Sequence, residues 1–140
     1  MNPNESDYPF FHPIRVRYSE VDSQGVVFNA NYLNYFDVSL NEYMRHLKYD
    51  YLGESKRTGL DFMVTRSVVD FKSPARFDEE ILVGVRAGTV KPASVVWEIA
   101  VFKKESKELV CVAELTWACL LLETRKPVKL PEAFANLKKT

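Results

Sequence analysis

The sequence predicts an α+β domain, a five-stranded antiparallel sheet wrapped around one long central helix. Three observations carry this. A single strong helical period opens the chain's middle. Four strand-like segments then follow, joined by short turns. Short turns between consecutive strands imply antiparallel pairing. The chain has 140 residues, 46% of them apolar, enough for one domain with its own core.

Residues 1–11 hold Pro3, Pro9 and several polar side chains and read as a flexible tail. Residues 12–140 read as the domain. A short strand, Ile14–Tyr18, follows Pro13. From Asn31 to about Tyr51, Tyr32, Phe36, Leu40, Tyr43, Leu47 and Tyr51 recur at steps of three or four, a helical period. Leu33 and Met44 widen the stripe, so this helix should be largely surrounded by protein. Asn31 is the expected N-cap and Gly53 the expected stop.

After Gly59 the period changes to two. The expected strands are Met63–Phe71, Ile81–Val90, Ser94–Lys103 and Leu109–Leu122. Lys91-Pro92-Ala93 marks one turn and Lys104–Lys107 another. Cys111, Ala113, Leu115, Trp117, Cys119 and Leu121 give the last strand one wholly apolar face, which should meet the helix. Glu114 and Thr116 lie on the other. Pro127 and Pro131 lead into a short helix, Glu132–Leu137. One helix covers one face of such a sheet, so the edges and outer face point to self-association.

Composition excludes several classes. Nineteen basic residues balance nineteen acidic ones, so no general nucleic-acid or anionic-membrane surface is expected. No apolar stretch is long enough to span a bilayer, and no signal peptide is evident. Cys111 and Cys119, eight residues apart in one strand, would lie roughly 26 Å from each other. That is too far to pair, and buried thiols in a reducing, cytoplasmic setting fit best. Neither has metal-ligand spacing, and His12 and His46 are the only histidines, so no metal site is expected.

The segment Tyr18–Tyr35, YSEVDSQGVVFNANYLNY, carries the chemistry. Glu20 and Asp22 precede a turn at Ser23–Gly25, and Val26–Phe28 lead to Asn29–Asn31 at the helix start. A carboxylate thus sits beside a helix N-terminus, whose free N–H groups can hold a developing negative charge. Read alone, Asp22 is a common turn residue, Gly25 an ordinary turn glycine, and Asn29 and Asn31 caps.

This segment resembles the opening motif of the 4-hydroxybenzoyl-CoA thioesterase family of hotdog-fold proteins. Tyr18, Glu20, Asp22, Gly25, Val26, Val27, Phe28 and Tyr32 fall in its register. Glu42 and Arg45 look like its acidic and basic helix positions. Residues 73–79, SPARFDE, look like its strand-connecting segment, Ser94 like its strand-opening serine, and Glu123 to Pro131 like its tail. The resemblance runs over residues 13–131. It is nearest to the bacterial acyl-CoA thioesterase branch that includes the Tol–Pal-associated enzymes. Many members there have His where this chain has Asn29. That departure removes one proton carrier and leaves Asp22 as the main candidate.

The resemblance implies hydrolysis of an acyl-CoA to free acid and CoA, with no cofactor beyond the CoA carried by the substrate. Asp22 is then the general base or the nucleophile. The Asn29 N–H is the expected oxyanion donor, worth roughly 3–4 kcal/mol in the transition state. Gly25 is expected to permit a backbone shape and a close approach of the thioester. Tyr32 is expected at the acyl pocket. Lys91, Ser94 and Arg57 are expected at the CoA, with Lys56 and Arg66 as further basic candidates. The assembly implied is a homodimer or homotetramer with sites at subunit interfaces. The alternative is a non-catalytic acyl-CoA or acyl-carrier-protein binding or assembly protein of the same fold. A hotdog hydratase would need a His paired with a carboxylate, and His12 and His46 are poorly placed for that.

Overall fold

The computed structural model describes residues 2–137. Strand β1 (Phe10–Arg15) is followed by helices α1 (Asn31–His46) and α2 (Tyr51–Thr58). Strands β2 (Leu60–Phe71), β3 (Glu80–Lys91), β4 (Ser94–Lys103) and β5 (Leu109–Leu121) complete the main sheet. Its order is β1-β3-β4-β5-β2, every pairing antiparallel, and the two-residue β6 (Lys126–Pro127) pairs with β5. The antiparallel sheet is therefore as expected, with a sixth short strand added.

The period-two pattern has a direct structural cause. Alternate side chains of β3, β4 and β5 point inward, so Val83, Val85, Trp97, Ile99, Cys111, Ala113 and Leu115 all join one buried cluster with Phe36, Leu40, Tyr43 and Met44 of α1. Each large side chain buried here contributes roughly 1.5–3 kcal/mol. Helix α1 packs on β1 and β3. The inner face of β5 is met instead by rings of other elements. Trp117 of β5 lies 6.1 Å from the ring of Tyr51, 5.1 Å from that of Phe62 and 5.4 Å from that of Trp97 in β4.

One long helix is not what forms. The apolar stripe continues to Tyr51, but the backbone breaks after His46. Lys48 takes a left-handed φ of 61°, and Asp50 caps a new helix by accepting from the Gly53 N–H at 3.1 Å. Gly53 is thus inside α2 and not a stop; a side chain there would collide with the Asp50 carboxylate. Gly59, at φ 75°, ends α2. The period survived the break because Tyr51 returns to the same core. At the other end, Asn31 is the first helical residue and not its cap.

The first strand lies earlier than Ile14–Tyr18, and residues read as a tail carry structure. Glu5–Asp7 form a 3-10 turn. Tyr8 is only 8% exposed and packs with Phe11, Ala100 and Phe102 on the outer sheet face. Arg86 stacks over the Tyr8 ring at 4.8 Å and donates to the Asp7 carbonyl at 3.1 Å. Three aromatics in four residues, Tyr8, Phe10 and Phe11, outweigh the polar residues before them. Pro13 is tolerated inside β1 because β1 is an edge strand. At the C-terminus the helix shortens to a 3-10 turn, Glu132–Phe134.

The other edge is β2, and it is long and apolar. Met63, Val64, Val68 and Phe71 are all exposed along it. Such an edge is a template for pairing with another strand. Among the described residues, no helix is long and apolar enough to cross a membrane.

Candidate active site

The acidic segment folds into two consecutive turns. Tyr18–Glu20 is a 3-10 turn, not the end of a strand. Beyond it the chain doubles back. The Asp22 N–H donates to the Val26 carbonyl at 2.9 Å, Val21 bridges Val27, and the Phe28 N–H donates to the Glu20 carbonyl at 2.9 Å. Asp22 and the helix start are therefore held by one small ladder. The ladder is tied to the connection between β2 and β3 through the Val27 N–H, which donates to the Ala75 carbonyl at 2.8 Å.

Asp22 is half-buried at the tip of this ladder. Its Oδ1 accepts from the Gln24 N–H at 2.8 Å, an Asx turn. Among the described residues Oδ2 has no donor. The turn thus uses only one of the two carboxylate oxygens. Gly25 takes φ 76°, and a Cβ added there would meet nothing within 4 Å. The requirement for glycine here is backbone conformation, not space.

Asn29 is exposed one residue beyond the ladder. Its carbonyl accepts from the Tyr32 N–H at 3.3 Å, and the Asn31 N–H donates to Phe28 at 2.9 Å. Among the described residues the Asn29 and Ala30 N–H groups have no acceptor, as the first turn of a helix leaves them. Asn31 is spent elsewhere, its Nδ2 donating to the Glu20 carbonyl at 2.8 Å.

Asn29 and Tyr32 line an open cleft of about 290 Å³ with Val27, Phe71, Lys72, Ser73 and Pro74. Asp22 and Gly25 lie in the turn that leads to it, outside its lining. Tyr32 is buried, its ring 5.5 Å from that of Phe71. Burial pushes its hydroxyl up to about 12, against a smaller lowering by the Ala75 backbone. Phe71, 54% exposed, and Lys72 were not picked out from the sequence; ending a strand gave them no distinctive pattern.

Lys91, Ser94 and Arg57 lie at the opposite end of the sheet, whereas Arg66 sits in the middle of β2, 3.4 Å from Glu114. Lys91 ends β3 and pairs with Ser94. Arg57 sits in α2, just ahead of β2, and is ion-paired with Glu54 at 2.5 Å. Strand β3 is 12 residues long, so roughly 37 Å of strand separates Lys91 from the Asp22 end. Lys91 lines a hollow of about 610 Å³ with Lys129, Pro92 and Pro131. Lys129 was hidden in the sequence because only folding brings the C-terminal tail to that hairpin. Elsewhere, Arg45 donates to Glu42 at 2.8 Å, as its spacing predicts. The His46 ring packs against Phe10 at 5.0 Å, tilted by 39°, and is stacked with Tyr43 at 6.3 Å.

A curled antiparallel sheet packed on a helix is the architecture of the hotdog fold. Residues 16–137 match the thioesterase-like superfamily. The chain belongs to that superfamily and, within it, to a hotdog acyl-CoA thioesterase family. An acyl-CoA thioesterase YbgC from Haemophilus influenzae is 30% identical over 136 residues, 94% of this chain and 98% of its own. The solved structure of a DHNA-CoA thioesterase from Staphylococcus aureus is 26% identical, with a TM-score of 0.82 over 92% of this chain and 85% of its own. That of a 1,4-dihydroxy-2-naphthoyl-CoA thioesterase from Synechocystis, at 18% identity, shares the fold with a TM-score of 0.85 over 93% and 95%.

Proposed function

We propose that this protein hydrolyses the thioester of an acyl- or aryl-CoA to the free acid and CoA, with Asp22 as the reacting carboxylate. The observation that carries this is the pairing of an Asp22 oxygen without a donor and acceptor-free N–H groups at Asn29 and Ala30, held by one ladder.

Two routes fit. As general base, Asp22 takes a proton from water while the water oxygen adds to the carbonyl carbon. The oxyanion that forms is held by the Asn29 N–H, and its collapse expels the thiolate, which recovers the proton. As nucleophile, Asp22 adds directly, expels the thiolate, and leaves a mixed anhydride that water then cleaves. Both need only the thioester and water, so no metal or resident cofactor enters.

The far-end residues join the site through a second copy. Pairing β2 with the β2 of another chain about a two-fold axis extends the sheet and covers Met63, Val64 and Val68. Antiparallel pairing sets the Leu60 end of one copy beside the Phe71 end of its partner. Lys91, Ser94 and Arg57 of one copy then flank the cleft of the other, where Lys91 and Lys129 hold CoA phosphate. The assembly is a homodimer in which each site needs both copies, and two such dimers can associate further.

The experiment is thiol release from a panel of aryl-, short- and long-chain acyl-CoAs and acyl-carrier proteins. Turnover on one CoA class supports the reading. Tight binding without turnover across the whole panel favours the non-catalytic binder instead.

Two variants test its parts. Gly25→Val forces a branched side chain into the left-handed region, costing roughly 1–2 kcal/mol. Because its Cβ meets no atom, the fold should survive with a melting point lowered by a few degrees. Displacing Asp22 should cut turnover about 10²-fold. Equal losses of stability and activity would reduce Gly25 to a turn former. Lys91→Ala should raise KM for acyl-CoA about tenfold with kcat nearly unchanged, the signature of a binding contact. Unchanged KM would remove Lys91 from the CoA site.

A further inference from the structure

The inference concerns Glu20 and rests on the thioesterase reading above. Its side chain is 12% exposed, and both carboxylate oxygens are fully engaged. Oε1 accepts from the Arg17 N–H at 2.8 Å and from the Tyr35 hydroxyl at 2.9 Å. Oε2 accepts from Arg17 Nε at 3.0 Å and Nη2 at 2.8 Å. The Glu20 carbonyl takes two more donors, the Phe28 N–H and Asn31 Nδ2. Six donors thus converge on one residue, and the four on its carboxylate occupy the lone-pair positions of both oxygens.

What those bonds connect gives Glu20 its role. Arg17 opens the 3-10 turn that delivers the chain to Asp22. Phe28 delivers it to Asn29. Asn31 and Tyr35 lie on successive turns of α1. We propose that Glu20 is the positioning residue of this active site: it clamps the Asp22 turn to the start of α1 and so fixes the carboxylate relative to the Asn29 N–H.

The local chemistry makes the clamp sturdy. Desolvation pulls the Glu20 carboxyl upward, but the hydrogen bonds from Arg17 and Tyr35 together hold it below its ordinary value. Tyr35 is held above its own by burial first and by Glu20 next. The donor stays a phenol and the acceptor a carboxylate through the neutral range. Alternation along an extended chain would have turned Glu20 away from this neighbourhood. The 3-10 turn redirects it.

The test is a double-mutant cycle on the full chain. Thiol release is measured for wild type, Glu20→Gln, Asp22→Asn and the double variant, with Tyr35→Phe as the milder probe should Glu20→Gln not fold. Misplacing the carboxylate by about 1 Å should lower kcat by 10- to 100-fold with KM within about twofold. Tyr35→Phe should lower kcat in the same direction by less. In the Asp22→Asn background, Glu20→Gln should change the residual rate by less than about twofold, because there is no carboxylate left to place. An unchanged kcat in the folded variant, or an equal proportional loss in both backgrounds, would overturn the clamp while the Asp22 reading stands. A wild type without turnover would remove both.

Discussion

Asp22→Asn should lower acyl-CoA turnover by about 10²–10⁴-fold, the range for a lost acid–base group. The fold should be untouched, and the structure says why. The turn depends on Oδ1 accepting from the Gln24 N–H, and an asparagine carbonyl oxygen accepts equally well. Only the second oxygen changes, from a carboxylate oxygen to an amide nitrogen that can neither take a proton from water nor attack a thioester. The Asn29 and Ala30 N–H groups remain, so a residual rate above background should persist. Thiol release at saturating substrate, beside circular dichroism of both proteins, reads this out. Loss of structure in the variant would mean that Asp22 is chiefly a turn residue.

Val64→Lys should separate the subunits and remove most of the turnover. Val64 lies exposed in the middle of the β2 edge, one residue before the irregularity that shifts its register with β5. A lysine there puts a charge where two copies of the strand are proposed to meet, a device natural edge strands use against pairing. Its own chain should fold normally, because the pairing of β2 with β5 is on the other side of the strand. Light scattering should report a dimer for wild type and a monomer for the variant. Turnover should fall about tenfold or more, because the partner's CoA contacts no longer flank the cleft. A dimeric, fully active variant would place the interface elsewhere.

The extent to which this protein is legible in its sequence differs between its parts. The sheet reads well because each central strand has one face against the core, and a two-residue period has no other explanation. Strand β4 has the expected bounds, Ser94–Lys103. The break between α1 and α2 does not read, because Lys48 and Asp50 are compatible with a helix and the apolar stripe passes through them. The ordered N-terminal segment was masked by its prolines and polar residues, although Tyr8 decides its fate. Within the candidate site, the turn at Asp22–Gly25 and the helix start after Asn29 are legible because turn and cap residues follow one another in sequence. Glu20 was legible as an acid but not as a clamp, since its partners Arg17, Asn31 and Tyr35 come from different turns. The separation of Lys91, Ser94 and Arg57 from Asp22 was not legible at all. Sequence distance does not say which end of a sheet a hairpin occupies.

That separation makes the shared site the central claim, and subunit complementation tests it most directly. One partner carries Asp22→Asn. The other carries Arg57→Ala, Lys91→Ala and Ser94→Ala together. Each homodimer should be nearly inactive at low acyl-CoA. Co-expressed with different tags, half the dimers should be hybrids, and each hybrid should hold one site with both halves intact. Recovery of about a quarter of the wild-type rate in the mixture, concentrated in the doubly tagged fraction, is the predicted result. Hybrids no more active than the parent homodimers would contradict it.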